Sequence, residues 1–275
     1  MTSLAQLTQR ITFIGAGNMA TSIIGGLVQQ GYRPELICAT DPDQDKLTAL
    51  TDEFSIQTSS DNIVAVEHAD IIILAVKPQI MEQVVRPLAG ILQRTQPLLI
   101  SIAAGITLQN LIDWCGTELP MIRTMPNTPA LVQEGATGLY ANKSVSEPQR
   151  AAAQAIFEAV GMALWFDHED ELDQVVAVSG SGPAYYFLVM EAMEKAGIKL
   201  GMSQQAARQL TLQTALGAAK LALNSDVDPG ELRRRVTSPG GTTEQAINCL
   251  QNGGLVELFE QAMKAAMQRS KELAG

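Results

Sequence analysis

The stretch "ITFIGAGNMA", residues 11–20, decides how the rest of the chain is interpreted. A short run of β-branched and aromatic residues leads into the pattern G-x-G-x-x-A, formed by Gly15, Gly17 and Ala20. In this pattern the first glycine allows a tight turn and the second lets a pyrophosphate reach the backbone. The small third residue lets a helix pack closely on a sheet. The sequence therefore predicts a strand, a phosphate-binding loop and a helix that starts at the loop.

Apolar strand-like runs and helical patterns alternate beyond this stretch, as far as residue 166. Such alternation is typical of βαβ units with right-handed crossovers and a parallel sheet. The runs "DIIILAV" and "LLISIA" are apolar throughout, as strands covered on both faces should be. The predicted strands are "ITFIG", "LICAT", "DIIILAV", "LLISIA", "PMIRTM", "TGLYAN" and "MALWF"; the predicted helices are "NMATSIIGGLVQQG", which ends at Gly31, "DQDKLTALTDEF", and "SEPQRAAAQAIFEAVG", which begins at Ser146.

The pattern of predicted elements changes near residue 167, where strand patterns stop. Long Ala-rich helical patterns follow, such as "SQQAARQLTLQTALGAAKLAL". We therefore predict an α/β fold with an N-terminal Rossmann-type dinucleotide-binding domain over residues 1–168 and an all-helical domain over residues 169–275. The helices of the second domain carry so few charges that we expect them to bury against a second copy of the chain.

Composition excludes several functional classes. The chain has 275 residues, 46% of them hydrophobic, and a formal net charge of −10 at pH 7, which argues against a nucleic-acid or anionic-membrane partner. No apolar run approaches the ~20 residues of a spanning helix. The N-terminal "MTSLAQLTQR" lacks the apolar core and basic start of an export signal. Three widely spaced cysteines favour reduced thiols, so we expect a cytoplasmic protein.

Asp41 lies where the second predicted strand ends, in "ATDP". A carboxylate at this place accepts a hydrogen bond from the adenine ribose and favours NAD, whereas a 2′-phosphate calls for Arg, Ser or Thr. Thr40 lies beside Asp41, and the first cation that follows is Lys46. The alternative interpretation is that Asp41 caps the next helix.

Three further loops follow predicted strands, at the ends where a parallel sheet places ligand-contacting loops. They are "AVKPQ" (75–79), "SIAAG" (101–105) and "MPNTPA" (125–130). In the last loop, Asn127 and Thr128 lie between two prolines, either of which could follow a cis bond. Rigid polar groups of this kind suit the orientation of an amide such as nicotinamide. The alternatives are a plain turn here and a solvated Lys77 in the first loop.

A second glycine loop, "VTSPGGTTEQA" (236–246), precedes a predicted helix in the second domain. Its hydroxyl and N–H groups can form an anion site. Because the first domain already has a phosphate site, we expect this loop to hold the carboxylate of a substrate. The alternative is simple helix capping by Thr242 or Thr243 with Glu244 or Gln245. The small residues of "SGSGPAYYF" (179–187) would let another backbone come close.

Other chemistries fit the sequence poorly. His68 and His168 belong to no glycine-rich motif, and we expect both on the surface. The chain has no G-x-S-x-G elbow, no H-E-x-x-H pair and no Walker lysine motif. The carboxylates of "DHEDELD" (167–173) predict a solvated turn between the domains and not a metal site.

Together these motifs resemble the pyrroline-5-carboxylate reductase family. "FIGAGNMA", "AVKPQ", "SIAAG", "MPNTPA", "SGSGPAY" and "VTSPGGTTEQA" occur in the family's order and at its approximate spacing, nearly end to end. The resemblance implies hydride transfer from NADPH, or from NADH, to the C=N carbon of a cyclic imino acid. The product is L-proline, made in the last step of its biosynthesis. The resemblance also implies a homodimer with interlocked helical domains, and rings of five dimers.

The resemblance also implies a set of site residues. Ser238 and nearby backbone amides would hold the substrate carboxylate, and Thr243 would hydrogen-bond the ring nitrogen, so these two are the expected catalytic residues. Asp41 joins the cofactor contacts by its position. The expected cofactor contacts are Ile14, Gly15, Ala16, Gly17, Asn18, Met19, Thr40, Asp41, Pro42, Asn62, Ala75, Val76, Lys77, Pro78, Ile102, Ala103 and Ala104, and the expected substrate contacts are Asp226, Ser238, Gly240, Gly241, Thr242 and Thr243.

Some alternatives stay open at this point. Many family members carry Ser, Thr or Pro where this chain has Asp41, so we expect both NADPH and NADH to serve. The imine proton could come from Tyr185, Asp226 or water. A hydroxyacid dehydrogenase of the same plan would use a lysine on the first helix of the second domain, but none lies between Lys143 and Lys195. A regulatory nucleotide-binding module would not need the second anion loop.

Overall fold

The computed structural model of the chain describes Leu4 and residues 7–274. Much of the N-terminal stretch from which we predicted no export signal therefore lies outside the described residues. The chain divides into two compact units. The first is Met1–Ser181 together with Ala266–Gly275, and the second is Gly182–Ala265.

An eight-stranded sheet forms the centre of the first unit. Its strand order is β3-β2-β1-β4-β5-β6-β7-β8. All neighbouring strands are parallel except β6 and β7, which are antiparallel. The order reverses between β1 and β4, as in a doubly wound dinucleotide-binding fold. The strands are β1 Ile11–Ile14, β2 Ile37–Thr40, β3 Gln57–Ser59, β4 Ile71–Leu74, β5 Leu98–Ser101, β6 Met121–Met125, β7 Gly135–Ala141 and β8 Gly161–Trp165.

The predicted strands are confirmed, and the reason is burial on both faces. All four residues of β1, of β4 and of β5 are buried. Helices cover the sheet: α1 lays Ile23, Ile24 and Leu27 into the core, and all three are fully buried. The helices of this part are α1 Asn18–Gln29, α2 Gln44–Phe54, α3 Asn62–Val66, α4 Pro78–Val85, α5 Ala89–Thr95, α6 Leu108–Cys115, α7 Glu147–Glu158 and α8 Glu171–Val175.

The described residues of the second unit form helices joined by loops and include no strand, as expected for an all-helical domain. Its helices expose many large apolar side chains, among them Phe187, Leu188 and Leu212. A monomeric soluble protein seldom exposes so much apolar surface, so we expect another protein surface to pack against these helices. They are α9 Gly182–Lys199, α10 Gln204–Leu223, α11 Pro229–Arg235, α12 Thr242–Asn252 and the start of α13 Leu255–Ala274.

The motif "SGSGPAYYF" interrupts a helical segment. A π-helical turn, Val176–Gly180, separates α8 from α9. Such turns insert an extra residue into a helix and occur often at functional sites. A close approach is present, but to a side chain: a Cβ added at Gly180 would lie 2.8 Å from the Cε atom of Met125.

Asp167 and Asp170 of "DHEDELD" are exposed in a turn, as we expected, but Glu169 and Asp173 are not solvated in this way. Arg123, on β6, is 4% exposed and lies 3.2 Å from Glu169 Oε1 and 3.7 Å from Asp173 Oδ1. Glu169 also accepts the backbone N–H of Leu108, and Asp173 accepts the hydroxyl of Ser270. For these two acids the expectation was wrong because Arg123, a buried cation some 50 residues earlier in the chain, pairs with both. We also predicted that these acids do not bind a metal, and the ion pairs with Arg123 do not test that prediction.

Removal of Arg123 should destabilise the first unit strongly. Arg123→Met keeps the length of the side chain but leaves two acids without their cation in a largely buried position. Breaking a buried pair of this kind costs about 3–5 kcal/mol of unfolding free energy. Urea denaturation followed by circular dichroism measures the loss. Arg33→Met is the control, because the Arg33–Glu35 pair is exposed and worth about 0–1 kcal/mol. Equal, small losses in both variants would contradict this account.

Candidate functional site

Gly15 closes the glycine-rich loop tightly between two strands. Its φ is +105°, and an added Cβ would lie 2.7 Å from the carbonyl oxygen of Ala75, after β4. Its N–H donates to the carbonyl of Thr40 at the end of β2, at 2.8 Å. Only glycine satisfies both the backbone angle and the space at this position. The loop is therefore fixed at the carboxyl end of the sheet, where the strand order reverses.

Gly17 plays a different part, since it leaves room on the outer side of the loop. It is the N-cap residue of α1, and no side chain caps the helix there. A Cβ added at Gly17 would meet nothing within 4 Å. The N–H groups of Asn18 and Met19, in the first turn, have no acceptor within the helix. This open, uncapped helix start fits a phosphate group of a dinucleotide.

The Asp41 carboxylate stabilises the same loop by hydrogen bonding. Its carboxylate accepts the N–H of Ala16 at 2.9 Å and the N–H of Asp43 at 3.0 Å, and Lys46 Nζ lies 3.4 Å away. Burial raises the pKa of this carboxyl, but the hydrogen bonds and Lys46 outweigh it, so the pKa lies below its ordinary value. The capping alternative was wrong, because the N-cap of α2 is Asp43, which accepts from Asp45. The structure thus shows a carboxylate that already accepts two N–H groups of the chain, and its contact with the ribose stays a prediction.

Thr40 and Asn62 meet beside Asp41. The Thr40 hydroxyl, 1% exposed, donates to Asn62 Oδ1 at 2.6 Å. Asn62 opens α3, and Pro42 follows Asp41 at the start of the loop to α2. The structure therefore brings four of the expected cofactor residues, Thr40, Asp41, Pro42 and Asn62, to the carboxyl end of β2.

The other expected cofactor residues follow the next strands along the same edge. Lys77 is the exposed N-cap residue of α4, with an extended backbone, and Pro78 is the first residue of that helix. Ile102 donates its N–H to Leu74 at 3.2 Å, which ties the loop after β5 to β4. Ala103 and Ala104 continue that loop. The parallel register of β1, β2, β4 and β5 collects all these segments at one edge of the sheet.

Asn127 does not serve as a free orienting amide. Its Nδ2 donates to the carbonyl of Ser179 at 3.0 Å, and its Oδ1 accepts the N–H of Ala136 at 2.9 Å. The side chain thus fixes the π-helical turn to β7. Both X-Pro bonds of "MPNTPA" are trans. The expectation failed because one partner, Ser179, lies 52 residues along the chain, where the sequence gives no local signal.

The second glycine loop, in the second unit, repeats the features of the first. Gly240 has a φ of +73°, and Gly241 is the N-cap residue of α12, again without a side-chain cap. Two of the loop's amides are already used: Gly241 donates to the carbonyl of Ser238 at 3.0 Å, and Gly240 donates to Glu244 Oε2 at 2.8 Å. These bonds shape the turn, and they leave the amides of the first helical turn to face outward.

Thr242 and Thr243 are the first two residues of α12, and both are exposed. The capping alternative was wrong for both threonines, because Gly241 holds the N-cap position. Their N–H groups have no acceptor within the helix. Ser238, also exposed, lies in the same loop. The geometry offers two backbone donors and three hydroxyl groups to an anion.

The remaining candidates differ in their surroundings. Asp226 is exposed on the loop between α10 and α11. The Tyr185 hydroxyl is buried without a partner among the described residues, and its ring meets Phe259 edge-on at 6.3 Å. His68 and His168 are exposed, as expected.

In the described part of the chain, no cluster of His, Cys, Asp and Glu could hold a metal, and no helix is long and apolar enough to cross a membrane.

Family models match both parts of the chain. Residues 169–273 match a model described as pyrroline-5-carboxylate reductase dimerisation, and residues 10–105 match one described as NADP oxidoreductase, coenzyme F420-dependent. A pyrroline-5-carboxylate reductase from Pseudomonas aeruginosa is 55% identical over 97% of both chains.

Solved structures agree with these matches. A pyrroline-5-carboxylate reductase from Coxiella burnetii is 46% identical, with a TM-score of 0.94 over 98% of this chain and 100% of that one. A pyrroline carboxylate reductase from Plasmodium falciparum, solved with NADP bound, is 29% identical, with a TM-score of 0.87 over 98% and 99% of the two chains.

The two glycines of the first loop should respond differently to substitution. Gly17→Ala places a methyl group in the open cradle, so it should weaken nicotinamide dinucleotide binding about tenfold or more while unfolding stays within about 0.5 kcal/mol of wild type. Gly15→Ala should destabilise the fold, because its Cβ meets the Ala75 carbonyl. Calorimetric titration and thermal melting separate the two effects. A Gly17→Ala variant that binds the dinucleotide normally would contradict the phosphate cradle.

Proposed function

Because the chain belongs to the pyrroline-5-carboxylate reductase family and reduces 1-pyrroline-5-carboxylate to L-proline with NAD(P)H, we propose that each of its two anionic ligands binds at a different uncapped helix N-terminus. The start of α1 holds the pyrophosphate of the cofactor. The start of α12 holds the carboxylate of the imino acid. Supporting this division, α1 and α12 both have a glycine N-cap residue in a loop that also contains a glycine at positive φ, whereas side chains cap the first turns of α2, α6 and α10.

The substrate carboxylate has a matching set of donors in the second loop. The N–H groups of Thr242 and Thr243 point out of the first turn of α12, and the hydroxyl of Ser238 lies in the same loop. The partial positive charge of a helix start adds to these hydrogen bonds. Gly240 and Gly241 act through the shape of the turn, since their own amides are paired. Asp226 is the remaining proposed substrate contact, by resemblance to the family.

Thr243 has a second task in this proposal: its hydroxyl hydrogen-bonds the ring nitrogen of the substrate. A protonated imine is already electrophilic at carbon, so the chain needs to hold and orient the ring more than to activate it. The reduced nicotinamide supplies the hydride when it is bound. Tyr185, Asp226 and water remain the proposed sources of the imine proton.

The cofactor proposal collects residues at one edge of the sheet. Asn18 and Met19 meet the phosphates, Thr40 and Asn62 lie at the adenosine end, and the segments 75–78 and 102–104 lie toward the nicotinamide end. The open cradle at Gly17 supports this assignment, because no side chain caps the helix there and the space beside the amides is empty of protein atoms. We expect NADPH and NADH both to be accepted.

Assembly and location complete the proposal. The chain carries a dimerisation domain and forms oligomers. We propose a homodimer that assembles further into rings of five dimers, supported by the exposed apolar helices of the second unit. We also propose that the domain boundary lies between residues 168 and 169, where the match to the dimerisation family begins. Three free cysteines support a cytoplasmic location.

Thr243→Val tests the substrate site directly. The variant keeps the shape of the side chain and deletes its hydroxyl, so kcat/KM should fall roughly 30- to 150-fold, or about 2–3 kcal/mol. The Kd for the cofactor should not change, and neither should the melting temperature, because Gly241 and not Thr243 is the N-cap residue. Steady-state kinetics and calorimetry provide the measurements.

Thr95→Val is the matched control, because its hydroxyl bonds only to the carbonyl of Ile91 on α5. That variant should keep its kcat/KM. Turnover of Thr243→Val near the wild-type value would remove Thr243 from the proposed site.

A further inference from the structure

A lysine lies beside the carboxylate at the end of β2. Lys46 Nζ is 3.4 Å from Asp41 Oδ1 and 3.8 Å from Asp43 Oδ2. Asp41 in turn holds the N–H of Ala16 in the glycine-rich loop. The ammonium group is thereby placed next to that loop, where a fold of this kind meets the adenine ribose.

We propose that Lys46 binds the 2′-phosphate of NADPH, while Asp41 accepts from the ribose hydroxyl of NADH, so that one pair serves both cofactors. This inference rests on the NAD(P)H-dependent function proposed above and deepens it. It assigns to this chain's own lysine the role that an arginine takes in many NADP-binding sites.

Asp41 alone would repel a 2′-phosphate, because two negative charges would meet at close range. Its charge is offset here by two backbone N–H groups and by Lys46. The Asp41 side chain is only 11% exposed, whereas that of Lys46 is 48% exposed. The carboxylate is therefore held in place by the loop, whereas the half-exposed ammonium group lies at the end of a flexible stem and can reach a ligand while it stays near the two acids.

Because the segment around Lys46 is negatively charged, we expect phosphate binding there to depend on this lysine. Segment 41–46 carries three aspartates, at 41, 43 and 45, against this one lysine. Asp43 is tied to the start of α2 through the N–H of Asp45, so it cannot turn away. Without Lys46 the segment would present only negative charge. An unphosphorylated ribose, by contrast, gains nothing from the lysine.

Calorimetric titration with 2′,5′-ADP and with 5′-AMP tests this inference without any turnover. The two probes differ only in the 2′-phosphate. Lys46→Gln should weaken 2′,5′-ADP binding about tenfold and leave 5′-AMP within about twofold. Asp41→Asn keeps an acceptor for Ala16 but loses the charge, so it should strengthen 2′,5′-ADP binding several-fold. Thermal melting checks that both variants are folded.

Lys143→Gln is the matched control for net charge. Lys143 is exposed and follows β7, which runs antiparallel to β6. It therefore lies near the amino ends of the parallel strands, away from the cofactor loops at their carboxyl ends. It should leave the binding of both probes unchanged. Equal weakening of both probes in Lys46→Gln, or no weakening of either, would overturn the role of Lys46. A wild-type chain that binds neither probe would instead refute the cofactor site itself, and the inference with it.

Discussion

The first turn of a helix leaves backbone N–H groups without partners, and the rest of the site depends on how this chain meets that constraint. Several of its helices meet it with a side chain: Asp43, Thr107, Ser203 and Asp228 cap α2, α6, α10 and α11. The helices α1 and α12 begin at glycines instead, and their amides stay available. Each of these two helices follows a loop with a glycine at positive φ. We propose that the amides left open in this way are donors to ligands.

The architecture then determines where each open helix start lies. In the first unit, six parallel strands, β1 to β6, and the reversal between β1 and β4 bring six loops to one edge of the sheet. Gly15 locks the loop against Ala75 and Thr40, and the Asp41 carboxylate secures it through Ala16. In the second unit the Glu244 carboxylate performs the corresponding task at Gly240. An acid from the chain thus stabilises each loop without occupying the outward-facing amides, so the loop geometry is set before a ligand arrives.

The sequence predicted the elements well where the signal is local. Apolar β-branched runs identified β1, β4 and β5, since burial on both faces selects such residues. The strand β3 was missed because "QTS" is short, polar and half-exposed at the sheet edge. Long-range pairs were also out of reach: Arg123 meets Glu169 and Asp173, and Asn127 meets Ser179, across about 50 residues. Such contacts depend on tertiary packing, which neither spacing nor composition records. The residues of "GAGNMA", "AVKPQ" and "SIAAG", in contrast, came together at the sheet edge because parallel strand ends must meet there.

The central claim is that two separate helix starts bind two separate anions. Amide hydrogen exchange read by mass spectrometry measures this directly, because a bound anion protects the N–H groups that it accepts from. The account predicts that the cofactor slows exchange in the peptide covering residues 15–20, and that added L-proline slows exchange in the peptide covering residues 238–243. Unchanged exchange at 238–243 in saturating L-proline, with protection elsewhere, would contradict it.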